Sequence, residues 1–304
     1  MPWKIKNIPR ITSTKIYDSI SKSIKCTTTT ENGKSFKSVM NYKENKGIIG
    51  KISLYYKILA EKDSLYLFNR KCLNYKYFSN KDLEKLYDKM VEIESKKYHE
   101  YILSKVGLGK CFYCAVSPSQ NIDHYLPKDQ FPELSIEIYN LVPSCSKCNS
   151  TKSTYFSLDK DKQLIHPYFN MEYYTSKWMY AYINKDYVDH LCRPPITFIA
   201  KPDNMNNQNK ERLKNHFKVL RLNDIYVHES LSYLLFLARR LDGLQNSQLR
   251  QEFLREESKK EYPEDISFEM MGPNWWKSVL CECLAEDQWY CEQGYKDIRD
   301  SLYP

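Results

Sequence analysis

KCFYCAVSPSQNIDHYLPKDQFPELSIEIYNLVPSCSKCNSTKS, residues 110–153, decides how the whole chain is read. It contains two Cys-x2-Cys pairs, Cys111/Cys114 and Cys145/Cys148, with 30 residues between them. Four thiolates at this spacing suit a tetrahedral Zn²⁺. The pairs of a simple zinc ribbon are usually about 15–20 residues apart, so this knuckle houses something extra. The chain opens MPWKIKNIPRIT, without an apolar leader, and its longest apolar runs are too short to span a bilayer. A cytoplasmic protein with no membrane segment is therefore expected. There, ten cysteines point to metal or free thiols rather than disulfides.

The insert offers Asp123-His124 after a short expected strand, Asn140 opening NLVP, and Asn149 directly behind the last cysteine. Phosphodiester hydrolysis needs a base for the attacking water and a cation for the charge on the phosphate. A neutral histidine fits the first role at neutral pH. Mg²⁺ prefers oxygen and takes few protein ligands, so one carboxylate and one amide oxygen suffice. Asp123 and Asn149 supply that pair if the zinc brings the strand end and the helix start together.

The pattern C-x2-C … DH-x-x-P-K … NLVP-x-C-x-x-CN-x-x-K resembles the HNH endonucleases. That resemblance implies a ββα-metal fold of the zinc-stapled kind and spans residues 110–153. It makes His124 the general base and Asp123 a ligand of the catalytic metal. Asn140 would orient the catalytic loop. Asn149, where the family has His or Asn, would be the second ligand, giving an H-N-N form that favours Mg²⁺ or Mn²⁺. Lys152 and Lys128 would face substrate phosphates. The layout is also similar to nuclease subunits of bacterial anti-phage systems of the Septu and retron-associated types. Such subunits act beside an ATPase, so an ATPase partner is implied.

The flanks read as mainly helical, which makes the chain α+β. A basic N-terminal region is expected over 1–106, the HNH module over 107–166 and a helical C-terminal region over 167–304. Glycine is scarce, at 8 residues, and tyrosine abundant, at 26. Residues 1–30 read as irregular, and 48–68 as one buried helix or two short elements. One helix is expected from Asn80 to about Val106, ended by Gly107 and Gly109. Strands are expected at 121–126 and 140–143, a helix at 146–153, and irregular chain with some strand over 164–200. Helices follow at 207–221, 224–241 and 274–293. The net charge of +8 is uneven: residues 1–110 carry 23 Lys/Arg against 11 Asp/Glu, and residues 242–304 carry 7 against 14. The basic excess suits a nucleic-acid partner, since cationic surface releases counterions from phosphate backbones.

The remaining histidines and cysteines are read as structural. His166 is expected to hold a backbone carbonyl, His99 to be solvated, and His216 and His228 to sit in core or on surface. Cys281, Cys283 and Cys291 read as helical thiols, and Cys26, Cys72 and Cys192 as unremarkable. The favoured function is a metal-dependent endonuclease acting on double-stranded DNA rather than RNA. The rival readings are an RNA- or tRNA-cleaving enzyme and a non-catalytic zinc module that binds nucleic acid.

Overall fold

The first helix depends on one hydroxyl and one apolar stripe. Thr12 Oγ1 accepts from the Lys15 amide at 3.3 Å and so caps α1 (Ser13–Ile20), which buries Ile16, Tyr17 and Ile20. This helix lies inside a segment expected to be irregular; the i, i+1, i+4 stripe outweighs the nearby prolines. The computed structural model describes residues 9–21, 29–31, 34–36, 42–69, 80–92, 96–104, 109–170, 172–187, 195–259 and 272–302. Cys26, Cys72, Cys192, Ile93 and Gly107 lie outside the described residues.

A small hairpin follows, β1 (Thr29–Glu31) with β2 (Lys34–Phe36), then the long α2 (Tyr42–Glu61). Two helices, α3 (Asn80–Val91) and α4 (Lys96–Ser104), replace the single helix expected from 80 to 106. The zinc-knuckle stretch gives β3 (Asn121–His124), β4 (Leu141–Ser144) and α5 (Ser146–Lys152), in the expected order strand, strand, helix. β3 and β4 run antiparallel, with Asp123 opposite Val142 and His124 opposite Leu141.

Among the described residues, those up to Asn170, apart from Cys114–Val116, form one compact unit, and those beyond form another with Cys114–Val116. In the first unit, Ile16, Ile49, Leu83, Leu86, Met90 and Ile102 from the helices share a core with Ile122, Ile136, Ile138 and Leu141 from the ββα segment. A segment that short cannot bury enough apolar surface by itself, so the helices supply its second layer.

The second unit contains α6 (Glu172–Thr175) and an antiparallel hairpin, β5 (Met179–Ile183) with β6 (Ile196–Ala200). It continues with α7 (Asn207–Val219), α8 (Leu222–Asp242), α9 (Ser247–Lys259), α10 (Trp276–Glu286) and α11 (Tyr295–Leu302). Helix α9 was not expected: its moderate apolar stripe buries Leu254 beneath a highly charged sequence. The expected helix over 274–293 stops at Glu286; a wider turn over Tyr290–Gly294 then leads into α11. Asn274 ties α10 to β5, accepting from the Trp178 and Met179 amides at 2.8 and 2.9 Å. No helix among the described residues is long and apolar enough to cross a membrane.

A buried carboxylate joins α1 to the ββα segment. Glu137 accepts from Ser13 Oγ at 2.8 Å, and the same Oγ accepts from the Ile138 amide at 3.1 Å. Burial raises the Glu137 pKa from 4.5 to about 6, against the opposing hydroxyls of Ser13 and Ser53 and the Tyr139 amide. A raised folded-state pKa gives stability that is complete below the unfolded value and is lost as pH rises through about 6. Glu137→Gln should therefore flatten the pH dependence of stability between pH 4.5 and 6. The wild type should lose on the order of 1–2 kcal/mol relative to the variant over that interval, read from urea midpoints; parallel pH profiles for the two proteins would contradict this.

Candidate active site

The four knuckle cysteines are buried, and their sulfurs all lie within 4.8 Å of one another. Zn–S bonds of about 2.3 Å at tetrahedral angles set sulfurs about 3.8 Å apart, so the set fits a zinc ion after a small contraction. Local backbone already points amides at these atoms. The Tyr113 amide donates to Cys111 Sγ at 3.4 Å, and the Cys148 amide to Cys145 Sγ at 3.3 Å, making Cys145 the cap of α5. The Phe112 amide donates to the Pro143 carbonyl at 3.1 Å, tying the first pair to β4. Cys281, Cys283 and Cys291 form no such cluster among the described residues.

His124 ends β3 with its imidazole buried. Nε2 lies 2.9 Å from the Ser135 carbonyl, which can only accept, so Nε2 carries the proton and Nδ1 is the basic atom. Burial lowers the His124 pKa from 6.5 to about 4, outweighing the upward pull of the Ser135 carbonyl and Asp123. The ring is thus neutral at neutral pH, and the edge-on Tyr87 ring packs beside it with centroids 4.5 Å apart.

Asp123 carries a dense set of partners. Tyr113 Oη donates to Oδ2 at 2.6 Å, and Lys152 Nζ lies 3.0 Å from Oδ2 and 3.2 Å from Oδ1. Lys152 also donates to the His124 carbonyl at 2.7 Å. Its side chain is 0% exposed, so it sits behind Asp123, away from the open surface where a phosphate contact was expected. A buried ammonium is tolerable only with partners this close.

Asn140 uses all four hydrogen-bonding positions of its amide. Oδ1 accepts from the Leu126 amide at 2.7 Å and from Tyr56 Oη at 3.2 Å. Nδ2 donates to the Leu126 and Leu134 carbonyls at 3.0 and 3.4 Å. Full satisfaction fixes the amide and, through it, the loop that follows His124. His166 supports this network from behind. Its Nδ1 accepts from the Tyr168 amide at 3.1 Å, which leaves Nε2–H to donate to Tyr56 Oη at 3.0 Å. His166 is structural, but its partners are a hydroxyl and an amide, not the carbonyl that was expected.

Asp123, His124, Lys128 and Asn149 all line one cleft of about 390 Å³. Asn140 and Lys152 do not line it; they brace its floor. Tyr87 and His99, from α3 and α4, complete the wall. His99 was expected to be solvated, and Tyr87 had no expected role at a site. No motif marks either residue, because both are brought to the cleft by tertiary packing. The cleft thus offers a neutral imidazole, a carboxylate and an amide oxygen, suited to proton abstraction from water next to a hard cation.

Comparison with known proteins agrees with this geometry. The HNH endonuclease family model matches residues 111–154. The chain is 30% identical over 223 residues to protein Ea31 of Escherichia phage lambda, covering 68% of this chain and 72% of Ea31. It is also 36% identical over 77 residues to the Septu protein PtuB of Bacillus thuringiensis, 24% of this chain and 29% of PtuB. No solved structure gives a significant match. With this likeness running along most of both chains, the chain belongs to the family of phage lambda Ea31 and carries an HNH endonuclease domain.

Proposed function

We propose that the chain is a metal-dependent endonuclease that hydrolyses phosphodiester bonds of double-stranded DNA. In this reading it serves in anti-phage defence, with an ATPase as protein partner. One observation carries the catalytic part: His124 holds its proton on Nε2 against Ser135, which leaves Nδ1 as the basic atom, and lines one cleft with Asp123 and Asn149. The likeness to the Septu protein supports the defence role, and the basic excess of residues 1–110 supports a polyanionic substrate.

In the proposed reaction, His124 Nδ1 takes a proton from a water molecule as its oxygen attacks phosphorus. The P–O3′ bond breaks and the departing O3′ takes a proton from bulk water, leaving a 5′-phosphate and a 3′-hydroxyl. Asp123 and Asn149 would hold a divalent ion, Mg²⁺ or Mn²⁺, which would supply charge neutralisation to the reacting phosphate when bound. Both residues offer hard oxygen, which fits such an ion. Three of roughly four lone-pair positions on the Asp123 carboxylate are already taken, so the fit is through the one remaining. Lys128 lines the same cleft and suits a phosphate contact. Lys152, paired with Asp123, acts here by holding that carboxylate. The four cysteines hold Zn²⁺ as a closed structural site with no open position.

The Lys152–Asp123 pair also favours a second reading, a nucleic-acid-binding module without hydrolysis, because it neutralises the carboxylate without a metal. Incubation with supercoiled plasmid and with total tRNA, each in Mg²⁺ or EDTA, separates the readings. Wild type should nick plasmid in Mg²⁺ alone, and His124→Ala should be slower by about 10²-fold or more. Equal cleavage by the variant, or cleavage that survives EDTA, contradicts the mechanism. Cleavage of tRNA with intact plasmid moves the substrate to RNA, and tight binding with no cleavage favours the non-catalytic module.

Lys152→Met strands a buried carboxylate and should cost about 3–5 kcal/mol. Adding Mg²⁺ or Mn²⁺ should restore part of that stability, because the dication takes over the charge of the lost ammonium. A thermal midpoint that is unmoved by either ion in the variant would contradict a metal at Asp123.

A further inference from the structure

The nuclease motif ends at its own strands and helix, yet the ring that packs beside His124 comes from α3. Leu83, Leu86 and Met90 anchor that helix in the shared core. Tyr87, one residue beyond Leu86, is turned from the core centre onto the cleft wall. Its ring meets the His124 imidazole edge-on, at 4.5 Å between centroids and 68° between planes. Lys128 Nζ lies 5.3 Å from the centroid of the same ring, so Tyr87 contacts two residues of the cleft together.

The hydrogen bond from Nε2 to the Ser135 carbonyl fixes one end of the ring, and a swing about that bond would aim Nδ1 elsewhere. An aromatic edge at this distance restricts the swing, and base catalysis loses rate steeply when the base drifts from line with its water. We propose that Tyr87, outside the HNH domain, is the positioning residue that fixes the His124 ring with Nδ1 toward the cleft. This rests on the reading of His124 as the general base. α3 is then a working part of the nuclease site as well as its second layer, and the nearby His99 shows that α4 reaches the same cleft.

The test uses the full chain with Tyr87→Phe, Tyr87→Leu and Tyr87→Met, each checked for folding by thermal unfolding. NOEs from the His124 ring protons at pH 7 read the orientation of the ring, and plasmid nicking in Mg²⁺ reads kcat and KM. Tyr87→Phe keeps the ring and should keep the single His124 orientation, with rates within about twofold of wild type. The folded Leu or Met variant should show more than one His124 orientation and a kcat lower by about tenfold or more at nearly unchanged KM. An unchanged orientation and kcat in either folded aliphatic variant overturns the proposal, as does a loss in Tyr87→Phe equal to theirs. If wild type nicks no nucleic acid, the nuclease reading fails, and the orientation measurement alone decides whether Tyr87 positions the ring.

Discussion

Four sulfurs within 4.8 Å of one another are the constraint on which the site depends. They close a loop of 30 residues whose two ends are also joined by the β3–β4 pairing and the Phe112–Pro143 hydrogen bond. Once Cys111 and Cys114 are held against Cys145 and Cys148, β3 has β4 beside it, and the start of α5 is fixed by its own cysteine cap. Asp123 and His124 then fall at the end of one strand, and Asn149 in the first turns of a helix lining the same cleft. The cysteines are fully occupied in holding this frame. Any chemistry belongs to the residues between and beside them.

Inside that frame, charge is managed by burial and pairing. His124 is kept neutral because a cation in its place would lose too much hydration. Asp123 is held by Lys152 and a tyrosine hydroxyl, so the carboxylate is both oriented and paired. Asn140 does with a neutral amide what a charge could not do here: it satisfies four partners and leaves none unpaired. Each of these groups would be costly alone, and together they form a rigid floor.

The ββα segment was legible in the sequence because its information is local. Cysteine spacing, the Asp-His pair and the Asn at each turning point lie within one short stretch, and the strands and helix formed within two residues of where spacing put them. Roles that depend on distant packing were not legible. Lys152 read as a surface cation because a lysine one turn along a polar helix normally is one; the carboxylate that draws it inward lies 29 residues away. Tyr87 carried no motif and His99 read as solvated; which neighbours their helices meet is decided by the shared core. Helix α1 was hidden by the prolines near it, and α9 by a charge density that masks its one fully buried leucine.

That the sulfur cluster holds the site together can be tested without any assay of activity. Amide hydrogen exchange should be followed in the purified protein before and after its metal is stripped with a thiol-compatible chelator. One zinc per chain is expected and, on its removal, joint loss of protection across Ile122–His124 and Leu141–Asn149, while α8 stays protected. If those strand and helix amides keep their protection without metal, the cysteines do not frame the site.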